Sequence, residues 1–592
     1  MLDTSLPLSD ALSAVLQTRF AAVFPDLPAE TLASVRAVPA ANAQFGDFQC
    51  NAAMPLAKAL HKPPRAVAQA VLDGWEMPAE IAKAEIAGPG FLNLTLTAET
   101  LAERAAAIAA DKNLGVPQCG AGHKVVIDYS SPNVAKPMHI GHIRSTVIGN
   151  ALDRLHRALG YEVVADNHIG DWGTQFGIII KGYREFLDKE ALSRDPIEEL
   201  QRIYVKSYGM TKAADDATDA EKAAAAAWLD ACRMETVKLQ QGDPDNRALW
   251  QEFIRLSMGE FDRVYNRLDV HFDTARGESY YQEQLAGVVA DLEKAGMAHE
   301  SDGAMIVDLT ADNLDVAIVR KRDGGFNYTT TDIATVATRM RDYAPERIVY
   351  VTDERQQLHF KQFFFICRKM GLVPESCLLS HVWFGLMRLP EGTISTRQGN
   401  LIKLETLMDE AEARARKIID ESRPGMPEDE AKKLAAEIGL GAIKYADLSQ
   451  SPQTMITFTW DKALALEGNS GPYLQYAHAR IRSVRDKYAE QFPGKDPDAY
   501  PLKLDMPAER AMALKLALFP ETVRTAADSY RPCVLADYLY GLCQAYSSFY
   551  QQVPFLKAEE GVRESRIRLC GIVEAVLKRG LSLLGIAAPD RI

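Results

Sequence analysis

The stretch SPNVAKPMHIGHIRS, residues 131–145, decides the fold because it joins a predicted strand to a predicted helix. The segment before it, KVVIDYS (124–130), has the run of Val and Ile that is typical of a buried strand. The segment after it repeats apolar residues at helical spacing and stops at Gly160. Because ligands in open α/β sheets bind at strand-to-helix turns, this loop is the first candidate for a binding site.

The rest of the central region predicts a parallel sheet interrupted by helices. YEVVADNHIGDW (161–172) is a second strand followed by a polar loop, and two successive β-loop-α units favour parallel pairing. The Ala-rich region from about 180 to 270 predicts a helical insertion. Strand-like segments return at AMIVDL (304–309) and RIVYVT (347–352). The fold class is therefore α/β.

The chain has 592 residues, which is too long for one hydrophobic core, so several domains are expected. The N-terminal region alternates helical and strand patterns, whereas the region after about residue 405 is nearly all helical. We predict a small α/β domain at 1–112, a catalytic domain at 113–450 and an all-helical domain at 451–592.

Composition narrows the class of protein. The net charge of -13 argues against a uniformly basic surface for nucleic acid, although a local basic patch is compatible with it. The eight cysteines are scattered without zinc-ligand spacing, which predicts reduced, mostly buried thiols, no zinc and a cytoplasmic location. Neither a signal peptide nor a membrane span is expected.

The opening loop carries groups suited to a nucleoside triphosphate. His139 and His142 can donate hydrogen bonds to phosphate oxygens as charge builds during attack at phosphorus. Gly141 leaves room for a base to approach the main chain, and Lys136 supplies a mobile positive charge. A bare HxxH pair is also compatible with surface or capping residues. A metal site is a further alternative, but the HExxH frame and a nearby third ligand are missing.

The segment PNVAKPMHIGH resembles the HIGH signature of class I aminoacyl-tRNA synthetases, and SPNVAKPMHIGHIRST resembles arginyl-tRNA synthetases in particular. The resemblance implies a Rossmann-like catalytic domain that joins arginine to tRNA(Arg) through an arginyl-adenylate, with ATP and Mg²⁺ as co-reactants and AMP and pyrophosphate as products. It assigns catalysis to Lys136, His139, Gly141 and His142. The ATP contacts that it implies in this loop are Pro132, Asn133, Met138, His139, Gly141 and His142.

The second ATP loop of the class usually reads KMSKS, and the matching stretch here is ISTRQGN (394–400), which lacks the second lysine. Arginyl-tRNA synthetases often lack that lysine and carry one just before HIGH, which Lys136 matches. A positive charge on either loop, the one before HIGH or the second ATP loop, can reach the same phosphates. The implied ATP contacts are Ser395, Thr396, Arg397 and Gln398. Taken alone, the stretch also fits an ordinary polar hairpin tip.

A guanidinium substrate favours carboxylates in its plane and a flat wall. Tyr328 and Asp332 lie four residues apart and share a face if the segment is helical. By resemblance, the arginine pocket consists of Asn133, Glu278, Tyr328, Asp332 and Gln356. Each of these residues, considered singly, fits a solvated surface better than a binding site, and only their joint match to the family pattern favours the pocket.

Aromatic and basic residues accompany one another near the start of the C-terminal region, a combination suited to single-stranded RNA. By resemblance to the anticodon-binding domain, the tRNA contacts are Tyr473, Tyr476, His478, Arg480 and Arg482. Helix packing and a solvated charged face are the alternative. FGDFQCNAAMPLAKAL (45–60) resembles the family's N-terminal domain, which contacts the tRNA elbow.

Two other functions remain compatible with parts of this pattern. A small-molecule adenylyltransferase can share the HIGH loop and the sheet, but the length and the C-terminal region disfavour it. A non-catalytic RNA-binding paralogue would be expected to lack HIGH or pocket residues that are present here. The resemblance also implies a monomer.

Overall fold

The computed structural model describes residues 2–388 and 402–592. The chain divides into two compact units. The terminal unit comprises Met1–Cys119, Ala158–Gly160 and Ala465–Ile592, and the central unit comprises Gly120–Arg157 and Tyr161–Leu464. Among the described residues, no helix is both long and apolar enough to cross a membrane. The eight cysteines all lie among the described residues and form no disulfide; seven are buried and Cys119 is exposed, in agreement with the predicted mostly buried thiols.

The N-terminal part of the terminal unit is an α/β module. Its antiparallel sheet has the strand order β1-β2-β4-β3. The predicted alternation of helices and strands is present. The elements are α1 (Leu8–Val23), α2 (Ala29–Ala33), β1 (Val38–Pro39), β2 (Phe48–Cys50), α3 (Ala53–Ala59), α4 (Pro64–Leu72), β3 (Ile81–Ala87), β4 (Phe91–Leu96) and α5 (Ala98–Ala110).

The central unit is built on a parallel sheet of order β11-β10-β5-β6, as the sequence predicts. The strands are β5 (Lys124–Asp128), β6 (Glu162–Asp166), β7 (Ala298–Ser301), β8 (Ala304–Asp308), β9 (Val316–Arg320), β10 (Arg347–Asp353), β11 (Leu378–Phe384), β12 (Met387–Arg388) and β13 (Ile456–Thr457). The predicted strand at 304–309 forms β8, which joins β7 and β9 in a separate antiparallel sheet.

Helices flank this sheet and form the predicted insertion. They are α6 (Ile140–Ala158), α7 (Gln175–Phe186), α8 (Lys189–Arg194), α9 (Pro196–Met210), α10 (Asp219–Gln240), α11 (Pro244–Arg267), α12 (Leu285–Lys294), α13 (Tyr328–Tyr343), α14 (Gln357–Lys369), α15 (Leu404–Ser422), α16 (Glu428–Leu448) and α17 (Trp460–Ala463). Helices α7–α11 constitute the insertion. Helix α6 begins inside the HIGH segment, which places that segment at the carboxyl end of β5.

The C-terminal part of the terminal unit is helical, with α18 (Gly471–Gln491), α19 (Pro507–Ala517), α20 (Phe519–Asp528), α21 (Pro532–Gln552) and α22 (Val562–Leu583). It packs on the N-terminal module within the same unit. Arg510 makes a bidentate ion pair with buried Asp47, at 2.6 and 2.7 Å, and Glu521 accepts hydrogen bonds from Ser9. The sequence does not predict this association, because the paired residues lie more than 450 positions apart.

Candidate active site

The loop between β5 and α6 has an unusual backbone. Ser130, Ser131 and Ala135 adopt left-handed conformations, with φ of 70°, 49° and 61°. Such conformations are costly for residues other than glycine and persist only where surrounding contacts hold them. The Ser131 N–H donates to the Asn167 side chain at 3.0 Å, and the Ala135 N–H donates to Ser257 Oγ at 2.9 Å. The course of the loop is therefore fixed before a substrate arrives.

Two main-chain donors set the tautomers of the HIGH histidines. The His139 N–H donates to Nδ1 of His142 at 3.0 Å, and the Gly141 N–H donates to Nδ1 of His139 at 3.1 Å. Both Nδ1 atoms are acceptors, so in the neutral rings the proton resides on Nε2. Burial lowers the pKa of His142 to about 3 and also lowers the pKa of His139. At neutral pH both residues are thus uncharged Nε2–H donors.

The position of the His139 ring requires a glycine at position 141. A Cβ added at Gly141 would lie 2.8 Å from Cε1 of His139, which is closer than real Cβ atoms approach other atoms. The two histidine rings already lie close together, with centroids 3.9 Å apart. Glycine therefore leaves space for the His139 ring, in addition to the predicted space for a base.

The segment that follows the second ATP loop returns to the HIGH loop. The Ile140 N–H donates to the Ile402 carbonyl at 3.0 Å, and the Leu404 N–H donates to the Met138 carbonyl at 2.9 Å. Lys403, between them, forms an ion pair with Glu198. The predicted ATP contacts Ser395, Thr396, Arg397 and Gln398 lie outside the described residues. Ile402 and Leu404, which follow that loop in the sequence, are hydrogen-bonded to the HIGH segment.

The other residues predicted for the ATP site differ in what they offer. Asn133 is exposed and Lys136 is half-buried. Pro132 and Met138 are buried, and their carbonyl oxygens already accept main-chain hydrogen bonds from Gly170 and Leu404. The buried side chains of Pro132 and Met138 therefore shape the loop rather than present polar groups to a ligand.

Three of the predicted arginine-binding residues, Glu278, Tyr328 and Asp332, come together at the amino end of α13. Burial and the negative charges of Asp332 and Asp171 raise the pKa of Glu278 to about 8. The pKa of Tyr328 is raised by desolvation and by the carboxylates of Glu278 and Asp332. Tyr328 is 65% exposed, so its ring is available to a ligand. We call this cluster of acidic side chains and an exposed aromatic ring the acidic pocket, and its chemistry suits a guanidinium.

The polar loop after β6 connects the HIGH segment to this acidic cluster. Gly170 pairs with Asn133, donating its N–H to the Pro132 carbonyl at 3.1 Å. One residue earlier, the Ile169 carbonyl accepts the N–H of Glu278, also at 3.1 Å. A continuous main-chain path thus runs from the HIGH loop to the acidic pocket, so the two predicted subsites lie side by side.

Two polar residues near the pocket were not predicted. Nε2 of His359 lies 2.5 Å from Oδ2 of Asp332, so this hydrogen bond orients the carboxylate. His359 is three residues after the predicted Gln356, which is exposed. Asp171 accepts hydrogen bonds from the main chain and hydroxyl of Ser279, which hold the turn that carries Glu278. Asp171 lies in the segment 161–172 noted in the sequence, whereas no sequence signal singles out His359, and the partners of both are too distant along the chain to be inferred.

The residues predicted to contact tRNA lie on α18 of the terminal unit. Tyr476 is exposed, Tyr473 packs edge-on against Tyr540, and Arg480 lies 4.1 Å from the ring centroid of Tyr550. Arg482 is half-buried and pairs with Asp486 and Glu574. His478 is 0% exposed, and its Nδ1 lies 3.1 Å from the Pro589 carbonyl. A side chain buried in this way offers no face to a base, so His478 is removed from the proposed RNA surface.

Comparison with known proteins identifies the domains of the chain. Residues 104–460 match the family model described as tRNA synthetases class I (R), catalytic domain. The central unit is therefore the catalytic domain of a class I aminoacyl-tRNA synthetase. Residues 8–96 match the arginyl tRNA synthetase N terminal domain, and residues 474–592 match the DALR anticodon binding domain.

Relatives along the whole chain identify the family. The chain is 44% identical over 560 residues to the arginine–tRNA ligase of Fusobacterium nucleatum, covering 94% of this chain and 95% of that protein. It is 41% identical to the Vibrio campbellii arginine–tRNA ligase, covering 95% and 96%. The Thermus thermophilus arginyl-tRNA synthetase structure gives a TM-score of 0.81 at 26% identity, covering 99% and 100%. The chain belongs to the arginine–tRNA ligase family, whose members use ATP to attach arginine to tRNA.

Proposed function

We propose that the central unit holds MgATP against the loop of residues 132–142 and holds arginine in the acidic pocket beside it. The observation that carries this assignment is the main-chain path through Ile169 and Gly170, which joins the two subsites. The arginine guanidinium lies between Glu278 and Asp332, with Tyr328 as the flat wall and Gln356 at the rim. Asn133 contacts the α-amino group, and this places the substrate carboxylate toward the HIGH loop.

The carboxylate of arginine then attacks the α-phosphorus, so no nucleophile from the protein is required. Catalysis consists of positioning and charge stabilisation. Neutral Nε2–H donors on His139 and His142 strengthen their hydrogen bonds as negative charge grows on the phosphate oxygens. Lys136 supplies positive charge in place of the lysine that ISTRQGN lacks, together with Ser395, Thr396, Arg397 and Gln398. MgATP enters as substrate, and no zinc is required.

The terminal unit serves the tRNA. Exposed Tyr476, together with Tyr473, Arg480 and Arg482 on the same helix, combines aromatic faces with positive charge, as single-stranded RNA requires. The N-terminal module contacts the tRNA elbow.

We place the enzyme in the cytoplasm as a monomer, with domains at 1–112, 113–450 and 451–592.

An exchange assay tests the proposal. Arginine-dependent exchange of pyrophosphate into ATP is measured with and without tRNA(Arg), and charging of the tRNA is followed in parallel. We expect charging with arginine and exchange only when tRNA is present. Binding of tRNA without charging would support a non-catalytic protein, whereas exchange that does not depend on arginine would support a different adenylyltransferase.

A further inference from the structure

Lys136 has an aromatic neighbour on the helical insertion. Its Nζ lies 4.8 Å from the ring centroid of Tyr204 on α9, within the range of a cation–π interaction. In the part of the chain that the structure describes, no carboxylate pairs with Lys136, and burial lowers the pKa of its ammonium group. The ring of Tyr204 is thus the group that lies against this charge.

The main chain on both sides of this contact is fixed by one hydrophobic cluster. Val134 and Ala135, the residues before Lys136, pack in the same cluster as Ile197, Leu200 and Ile203 of α9. Ala135 has a left-handed backbone that its hydrogen bond to Ser257 holds in place. Tyr204 directly follows buried Ile203, so its ring leaves the helix at the edge of the packed face. Lys136 and Tyr204 therefore start from anchored positions.

The ring of Tyr204 is itself supported from behind. It stacks on Tyr208, one helical turn later, with centroids 5.8 Å apart and planes within 7° of parallel. Nζ of Lys212 lies 4.4 Å from the centroid of the Tyr208 ring. Rotating Tyr204 away from Lys136 would break this stack, so the ring is held with a face toward the ammonium group.

We propose that Tyr204 is a positioning residue that holds Lys136 at the edge of the ATP site and releases it to the phosphates. This inference rests on the proposed role of Lys136. Lysine has a flexible four-carbon stem, and an unheld ammonium would sample many rotamers. A carboxylate at position 204 would also restrain it, but would compete with phosphate for its charge. An aromatic face restrains the cation through a weaker interaction that a triphosphate can outcompete.

A double-mutant cycle tests the proposal with the full-length enzyme and tRNA(Arg). The rate of arginine-dependent pyrophosphate exchange is measured for Tyr204→Phe, Tyr204→Leu, Lys136→Met and the combination of the last two. We expect Tyr204→Phe to stay within about twofold of the parent, because the ring face is kept. Tyr204→Leu should lower kcat about fivefold, with the KM for arginine unchanged. In the Lys136→Met background, Tyr204→Leu should have no further effect.

Controls separate positioning from folding. Tyr183→Leu removes another half-buried tyrosine of the insertion, whose ring packs on Phe253, and should leave kcat unchanged. Tyr204→Met is a second ring-free variant and should match Tyr204→Leu. Equal losses of kcat in Tyr204→Phe and Tyr204→Leu would overturn the proposed role of Tyr204 but not that of Lys136. A loss of kcat in Tyr204→Leu that adds to the loss in Lys136→Met would do the same. An unchanged rate in Lys136→Met would refute the proposed role of Lys136 and this inference with it.

Discussion

The main-chain N–H of His139 donates to Nδ1 of His142 at 3.0 Å, and this bond determines what the second histidine can do. It leaves the proton of the neutral ring on Nε2, and burial lowers the pKa to about 3, so the ring stays neutral. A neutral donor binds an anionic transition state without adding a full charge to the resting site. In the proposed mechanism, His142 therefore acts through a preorganised hydrogen bond rather than as an acid or base.

His142→Ala should lower the rate of adenylate formation by about two decades, or about 3 kcal/mol of transition-state stabilisation, with little change in KM for arginine. The low pKa also means that His142 remains neutral between pH 5 and 8, so it contributes no acid limb to the rate profile. Pre-steady-state rates and ¹⁵N spectra of the ring check both statements. Protonation of His142 near pH 6.5 would contradict them.

Gly141→Ala tests the space that the His139 ring needs. The added Cβ would meet Cε1 at 2.8 Å, so the ring must turn and lose its hydrogen bond from the residue 141 N–H. We expect at least a tenfold loss of kcat with the fold retained, following the cost of a misplaced transition-state donor. Gly287→Ala on α12 is the matched control, because nothing lies within 4 Å of its Cβ. That variant should keep full activity.

The affinity for arginine should rise with pH through the pKa of Glu278, which is about 8 because of burial and nearby Asp332 and Asp171. Glu278 is mostly protonated in the empty site at pH 7. A bound guanidinium favours the ionised carboxylate, so binding releases a proton and becomes tighter as pH increases toward 8. Calorimetry in buffers of different ionisation enthalpy measures this release. Glu278→Gln should abolish it, and binding without proton release in the parent would refute the assignment.

Asp332→Asn keeps the shape of the side chain but removes its charge. We expect the Kd for arginine to rise about a hundredfold, within the range for loss of one partner of a hydrogen-bonded charge pair, while the KM for ATP changes less than twofold. Asp342→Asn, near the end of the same helix, removes a carboxylate that pairs with Arg276 and Arg341. This variant should change neither the Kd for arginine nor the KM for ATP. Equal weakening of arginine binding and ATP binding by Asp332→Asn would indicate that Asp332 has a structural role.

The parts of this enzyme that sequence predicts are local. The strand, loop and helix around residues 124–158 follow from adjacent residues, and Tyr328 and Asp332 share a face because α13 begins at Tyr328. What the sequence does not predict depends on contacts between distant segments. His359 on Asp332 and Tyr204 under Lys136 are examples, since the participating helices are brought together only by tertiary packing.

Arg339 should contribute strongly to the stability of the central unit. It is 1% exposed, and its Nη2 donates to Asp128 and Asp166 at 2.6 Å each, at the carboxyl ends of β5 and β6. Arg339→Met leaves two buried carboxylates without their cation, a change that typically costs about 3–5 kcal/mol. Asp128 also accepts a hydrogen bond from Ser131, so a displaced Asp128 should also change the conformation of the loop before HIGH.

Thermal unfolding and the exchange rate measure these two effects. We expect Arg339→Met to lower Tm by several degrees and to reduce activity even below the transition. Arg341→Met, two residues later on the same helix, removes an exposed guanidinium that pairs with Asp342 and should change stability by at most about 0.5 kcal/mol. Adding Asp128→Asn and Asp166→Asn to Arg339→Met removes the uncompensated charges and should recover part of the lost stability. Failure to recover any would show that the contact of the Arg339 guanidinium with the Tyr350 ring, rather than its ion pairs with the two carboxylates, carries its contribution.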